Sequence, residues 1–242
     1  MYIVVGGSQG LGKEIIKVLL NRNYQVMNIS RSKCLISSCH LSNISLDISE
    51  LSSIEILDIF RDLEKIDGII FSQRFRRDGA NCNNKDYINE YQTTVIATSI
   101  IIEAYLKYQQ MSVKNNVGSI ILVGSTYSKS IGLDQNWSYH TCKYAQEALV
   151  NYYSVHSNGK FSINLVCPAT YMKEGSEEYW NKSHKAEIWK RYSVKQLATA
   201  RSIANNIIDI LIGSTLFNTG NKIMLDGGVS HIYHDQEIEE SN

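Results

Sequence analysis

Three features of this 242-residue chain predict a single-domain α/β fold built on a doubly wound parallel sheet with helices on both faces. Short apolar runs alternate with longer stretches of helical period. The runs are apolar throughout, as strands buried on both faces are, and no repeat, linker or low-complexity block interrupts residues 1–230. Right-handed crossovers between such strands must lay helices over both faces, which is a Rossmann-like arrangement. A content of 43% hydrophobic and 20% charged residues is ordinary for a globular chain, and this length buries a core without disulfides or metals.

The elements follow in order. Tyr2 to Val5 reads as a strand, and Leu11 to Leu20 as a helix with Ile15, Ile16, Leu19 and Leu20 on one face, ended by Asn23 in the left-handed conformation. Gln25 to Ile29 is a second strand, Ile44 to Leu46 a short third, and Ser52 to Leu63 a helix. Further strands are expected at Ile66 to Phe71, Ser119 to Val123, Ser162 to Val166 and Lys222 to Leu225. Helices are expected at Asn89 to Lys107, Tyr139 to Val155 and Thr199 to Leu211. The polar, acidic segment 231–242 stands outside the domain as a frayed end or an oligomer contact.

Composition narrows the function. The 24 basic and 24 acidic side chains balance, which argues against a nucleic-acid or anionic-membrane partner. The five cysteines form no Cys-x-x-Cys pair, so no metal site is expected and a reducing cytoplasm fits. Tyr2 to Val5 follows Met1 without the zones of a secretory signal, and no stretch nears the roughly 18 apolar residues of a membrane span, so a soluble, unprocessed protein is expected.

The first strand runs into Gly6-Gly7-Ser8-Gln9-Gly10-Leu11-Gly12, and a helix begins inside this loop. Free N–H groups and the positive dipole end there suit a pyrophosphate; the alternative is a tight strand-to-helix turn. The Gly-x-x-x-Gly-x-Gly spacing in the first βα turn resembles the short-chain dehydrogenase/reductase family, and more matches follow in chain order. Tyr139-His140-Thr141-Cys142-Lys143 places a phenol and an ammonium on one helix face. Gly118 to Ser125 resembles the family strand that ends in a serine, and Asn218-Thr219-Gly220 and Leu225-Asp226-Gly227-Gly228 resemble its closing segments.

The resemblance implies catalytic residues Ser125, Tyr139 and Lys143: Tyr139 as general acid in carbonyl reduction and base in alcohol oxidation, Lys143 favouring the phenolate and holding the nicotinamide ribose, Ser125 orienting the substrate oxygen. It implies cofactor contacts from Gly6, Ser8, Gln9, Gly10, Leu11 and Gly12, from Asp47 and Ile48 at the adenine, from Ser72, from Tyr139 and Lys143, and from Pro168 and the Tyr171 amide at the carboxamide. Arg31 stands where NAD-preferring sites place a carboxylate. Its guanidinium, with Ser32, suits a 2′-phosphate, so NADP(H) is the preferred cofactor and NAD(H) the alternative; a solvated Arg31 is the other explanation.

The chain also departs from the family. Asn-Ala-Gly after the fourth strand becomes Ser72-Gln73-Arg74, Ala169 replaces a glycine, Lys173 replaces a threonine, and Thr94 stands at the family's relay asparagine. Ser125 and Tyr139 are one residue further apart than usual. Arg74, Arg76 and Arg77 suggest an anionic substrate or a solvated loop, and the aromatic segment between Tyr171 and Tyr192 a substrate cover or a packed lid. His140 is expected to be structural or at the surface.

The resulting expectation is an NADP(H)-dependent, biosynthetic oxidoreductase that interconverts a carbonyl and a secondary alcohol on a small metabolite, forming homodimers or homotetramers through its long helices. The alternatives are a cofactor-binding regulatory or scaffold protein with little catalysis, and an epimerase or dehydratase using the cofactor transiently.

Overall fold

A computed structural model describes residues 1–75, 83–112, 117–131, 135–176 and 193–231. Strand β1 (Tyr2–Val5) is buried along its length and leads into helix α1 (Gly10–Asn21), whose C-terminal turn closes at Asn23 with φ +62°. Strands β2 (Val26–Ser30) and β3 (Leu41–Ser45) follow, then a one-turn helix at Ile48–Glu50 and α2 (Ser53–Arg61). A reciprocal capping box between Ser52 and Glu55 starts α2. After β4 (Gly68–Phe71) come α3 (Asn84–Tyr91), a π-helical segment Gln92–Ile96 and α4 (Ala97–Met111). The chain continues through β5 (Gly118–Val123), α5 (Trp137–His156), β6 (Phe161–Pro168), the two-residue strands β7 (Tyr171–Met172) and β8 (Ala198–Thr199), α6 (Ala200–Gly213) and β9 (Lys222–Leu225).

Seven strands form one parallel sheet in the order β3-β2-β1-β4-β5-β6-β9, as the apolar runs predict. Alternate residues of each strand feed opposite faces. Ile3, Val5, Ile69, Phe71, Ile120 and Leu122 pack with Phe60 of α2 and Tyr105 of α4, while Val4, Ile70, Ile121 and Val166 pack with Ile15 and Leu19 of α1 and Ile207 of α6. The strand order reverses between β1 and β4, and Val5 pairs with both Ile29 and Phe71. The crevice for a ligand therefore opens at the carboxyl ends of these strands.

One predicted helix needs correction. The segment expected as Asn89 to Lys107 starts earlier and is broken. Asn83 and Asp86 cap each other's backbone and so set the start of α3, and the π-helical segment interrupts the run before α4. Apolar periodicity is weak across Asn84-Lys85-Asp86, which hid the first turn. Strand β6 also runs on through Pro168, which ends it without needing to donate.

Candidate active site

The glycine loop crosses the end of β4 too closely for side chains. Gly6 has φ +84°, and a Cβ there would lie 2.5 Å from the Gln73 Cα; a Cβ on Gly12 would lie 2.3 Å from the Gly6 carbonyl oxygen. Helix α1 starts without a side-chain cap from Gln9 and without an acidic residue in its first turn, so its end retains the polarity an anion needs. Gly6, Ser8, Gly10 and the partly exposed Ser72, whose N–H donates to the Val5 carbonyl at 2.9 Å, line this turn. Leu11 directs its side chain into the core, so only its backbone is available to a ligand.

A residue that sequence reasoning missed joins this loop to the next strand. Asn28 is fully buried, accepts from the Gly7 N–H at 3.0 Å and donates to Asn43 Oδ1 at 2.8 Å. Asn43 in turn accepts from the Cys34 N–H, and Ser30 Oγ donates to the Ser32 carbonyl. This buried network holds the segment that presents Arg31 and Ser32, both exposed. The signal was an asparagine between the apolar Met27 and Ile29 of the strand.

Asp47 lies near Arg31. Burial pushes its carboxyl up, but hydrogen bonds from Ser49 and the charge of Arg31 outweigh that and hold it below its ordinary value. One oxygen of Asp47 accepts from the Ser49 N–H at 3.0 Å and hydroxyl at 2.7 Å. Ile48 turns its side chain into the core, so any contact of Ile48 with a ligand must come from its backbone.

Ser125 follows β5 and caps the turn Thr126–Ser128, its Oγ accepting from the Tyr127 N–H at 3.2 Å. Tyr139 lies in the first turn of α5, half-exposed, where the Asn136 side chain caps the helix by accepting from its N–H. The buried Ser138 beside it donates to the buried Glu90 of α3. Lys143 is one turn along and buried. Its ammonium donates to the Val123 carbonyl and to Gln146 Oε1, each at 3.0 Å, and stands 5.7 Å from the centre of the Tyr139 ring. The Tyr127 ring meets Tyr139 edge-on at 6.1 Å. Ser125, Tyr139 and Lys143 are thus gathered at the end of β5. His140 is buried and structural, its Nδ1 lying 3.3 Å from the Tyr127 carbonyl.

Gln73, a departure from the family pattern, is a structural crosslink. Its Nε2 donates to Thr98 Oγ1 at 2.8 Å and to the Thr93 carbonyl at 3.4 Å, and Thr98 donates to the Thr94 carbonyl. Gln73 Oε1 is buried without a hydrogen-bond partner among the described residues. Thr94 is buried within the π-helical segment, a distortion common at functional sites. Arg74 is exposed and lies on the face of Tyr139, its Cζ 4.8 Å from the ring centre. Pro168 closes β6 opposite Leu225, and Tyr171 is half-exposed on β7. Arg76, Arg77 and the aromatic segment at residues 177–192 lie outside the described residues, as does residues 232–242 of the acidic tail.

Comparison with known proteins agrees with this architecture. A family model described as enoyl-(acyl carrier protein) reductase matches residues 8–230. The 3-oxoacyl-[acyl-carrier-protein] reductase of Bos taurus is 20% identical over 240 residues, covering 93% of this chain and 96% of that protein. The solved structure of ElxO with NADP bound superposes with TM-score 0.80 at 20% identity, over 96% of this chain and 99% of that one. A 4-hydroxyisoleucine dehydrogenase mutant complexed with NADH and succinate superposes with TM-score 0.81 at 18% identity, over the same shares.

Proposed function

The chain belongs to the short-chain dehydrogenase/reductase family, and from that premise we propose that it is an NADP(H)-dependent oxidoreductase interconverting a carbonyl and a secondary alcohol on a small biosynthetic metabolite. The observation that carries this reading is the placement of Tyr139 and Lys143 one helical turn apart, with the Lys143 ammonium tied to the Val123 carbonyl just before Ser125.

The residues fit a dinucleotide. Gly6 and Gly12 let the loop pack backbone to backbone against the end of β4 and the start of α1, and the start of α1, with no side-chain cap, offers N–H groups to an anion. In this reading the backbone from Gly6 to Gly12, with Ser8 and Gln9, holds the pyrophosphate. Arg31 and Ser32 take the 2′-phosphate, Asp47 and the Ile48 backbone border the adenine, and Ser72, Pro168 and Tyr171 border the nicotinamide half. When bound, the dinucleotide supplies or accepts the hydride. Ser125 holds the substrate oxygen, and Tyr139 gives it a proton in reduction and removes one in oxidation. Lys143 holds the ribose hydroxyls and stabilises negative charge on the phenol oxygen.

The solved relatives include NADP and NADH complexes, so the choice for this chain rests on Arg31. Residues 1–230 act as one catalytic unit, a homodimer or homotetramer. Cys34, Cys39 and Cys167 are reduced thiols, in keeping with a cytoplasmic enzyme, and no helix among the described residues is long and apolar enough to cross a membrane.

Parallel titrations with NADPH and NADH, read by tryptophan quenching and thermal stabilisation, test the cofactor. NADPH should bind more tightly, and Arg31→Ala should weaken NADPH about tenfold or more while leaving NADH unchanged. Tyr139→Phe should keep nucleotide binding and lose most turnover on a carbonyl panel. A wild-type protein that binds neither nucleotide would sink the proposal.

A further inference from the structure

Two cations flank the ring of Tyr139, and neither pairs with a carboxylate among the described residues. Lys143 gives its protons to neutral acceptors, the Val123 carbonyl and Gln146. Arg74 gives one N–H to Gln135 Oε1 at 2.9 Å, and its Cζ lies over the phenol ring, 4.8 Å from the ring centre. A guanidinium carries about five N–H donors in one plane, and among the described residues only the bond to Gln135 engages those of Arg74.

The position of Arg74 is imposed by its neighbours. The Ser72 N–H is bound to the Val5 carbonyl, and Gln73 is anchored to Thr98 and to the Thr93 carbonyl. The backbone just before Arg74 is therefore fixed at the carboxyl end of β4. From there the side chain reaches the same ring that bears the reacting hydroxyl. An anion received in the plane of the guanidinium sits only a few bonds from a substrate oxygen at the Tyr139 phenol.

We propose that Arg74 is a specificity-determining residue that recognises an anionic group on the substrate, so that preferred substrates carry a carboxylate or phosphate a few bonds from the reacting carbonyl or alcohol. The proposal rests on the oxidoreductase reading for the identity of the site, but its test does not. Arg74 touches the substrate and takes no part in moving the proton or the hydride.

The experiment uses the full chain, with and without saturating NADP(H), titrated with succinate, inorganic phosphate and neutral succinamide. Wild type, Arg74→Gln and Arg74→Lys are compared by calorimetry. Nucleotide fills the pyrophosphate loop, so anion binding in its presence reports the substrate side. Wild type should bind at least one anion more tightly than succinamide, and the preferred anion separates a carboxylate from a phosphate ligand. Arg74→Gln should weaken that anion about tenfold or more, Arg74→Lys should fall between, and thermal stability and nucleotide affinity should stay unchanged in both variants.

Equal anion binding in wild type and Arg74→Gln overturns the proposal. So does succinamide binding as well as succinate, or no anion binding by wild type. Absence of nucleotide binding sinks the oxidoreductase reading instead, and the Arg74 dependence of succinate binding then remains readable in the nucleotide-free arm.

Discussion

Asn28 is the residue that ties the glycine loop to the segment bearing Arg31. It is fully buried, and its amide serves the glycine loop on one side and Asn43 on the other. Asn28→Leu keeps the branching and the number of side-chain heavy atoms but leaves the Gly7 N–H and the Asn43 side-chain oxygen facing an apolar group. The cost should be about 2 kcal/mol or more in urea unfolding, with nucleotide affinity lowered further because both loops are freed. Recovery of wild-type affinity in the folded variant would mean that the network serves stability alone. The crosslinking roles of Asn28 and Gln73 escaped sequence reading because a buried hydrogen bond between distant residues has no local spacing. Tyr139 and Lys143, by contrast, were legible because helix geometry joins positions four apart.

Elements were legible where burial gave them a period. The span of β9 agrees residue for residue, and the other main strands agree to within a few residues. Elements whose first turn lacks an apolar period, or that are too short to have one, were not. The capping pair of Asn83 and Asp86 moved a helix start, and the two-residue strands β7 and β8 are too short for any pattern. The turn after β9 offers a pH test. Burial pushes the Asp226 carboxyl up, but hydrogen bonds from Ser230 and from the Gly228 N–H outweigh this and hold it below the ordinary carboxylate value. A carboxyl depressed in the folded state contributes stability above its unfolded pKa of about 3.9 and loses that contribution as pH falls through the folded value. Asp226→Asn should therefore be less stable than wild type at neutral pH, and the gap should close under acid. Urea midpoints measured from neutral pH to below about pH 3 check this; a gap independent of pH would show that the charge is immaterial.

At the scale of the molecule, the helices that present the site also face outward with apolar groups. Tyr91, Ile96 and Met111 are exposed along α3 to α4, as are Trp137, Tyr144, Tyr152 and Val155 along α5. Association through these helices is part of the proposed function. The double substitution Tyr144→Asp and Tyr152→Asp should shift the protein toward monomer in light scattering, while an unchanged mass would place the contact elsewhere.

The chain has no net charge, yet the sheet gathers Arg31, Arg74 and Lys143 at its carboxyl edge. Seen from far away, the molecule offers a polyanion no pull. Guidance begins only within roughly 8–10 Å of the edge in physiological salt, the distance over which free ions blur a local field. Under the proposed function, a dinucleotide therefore meets the protein by undirected collision and is captured only on close approach. Added salt should then reduce its rate of arrival only slightly, far less than in an enzyme that draws ligands across its whole surface.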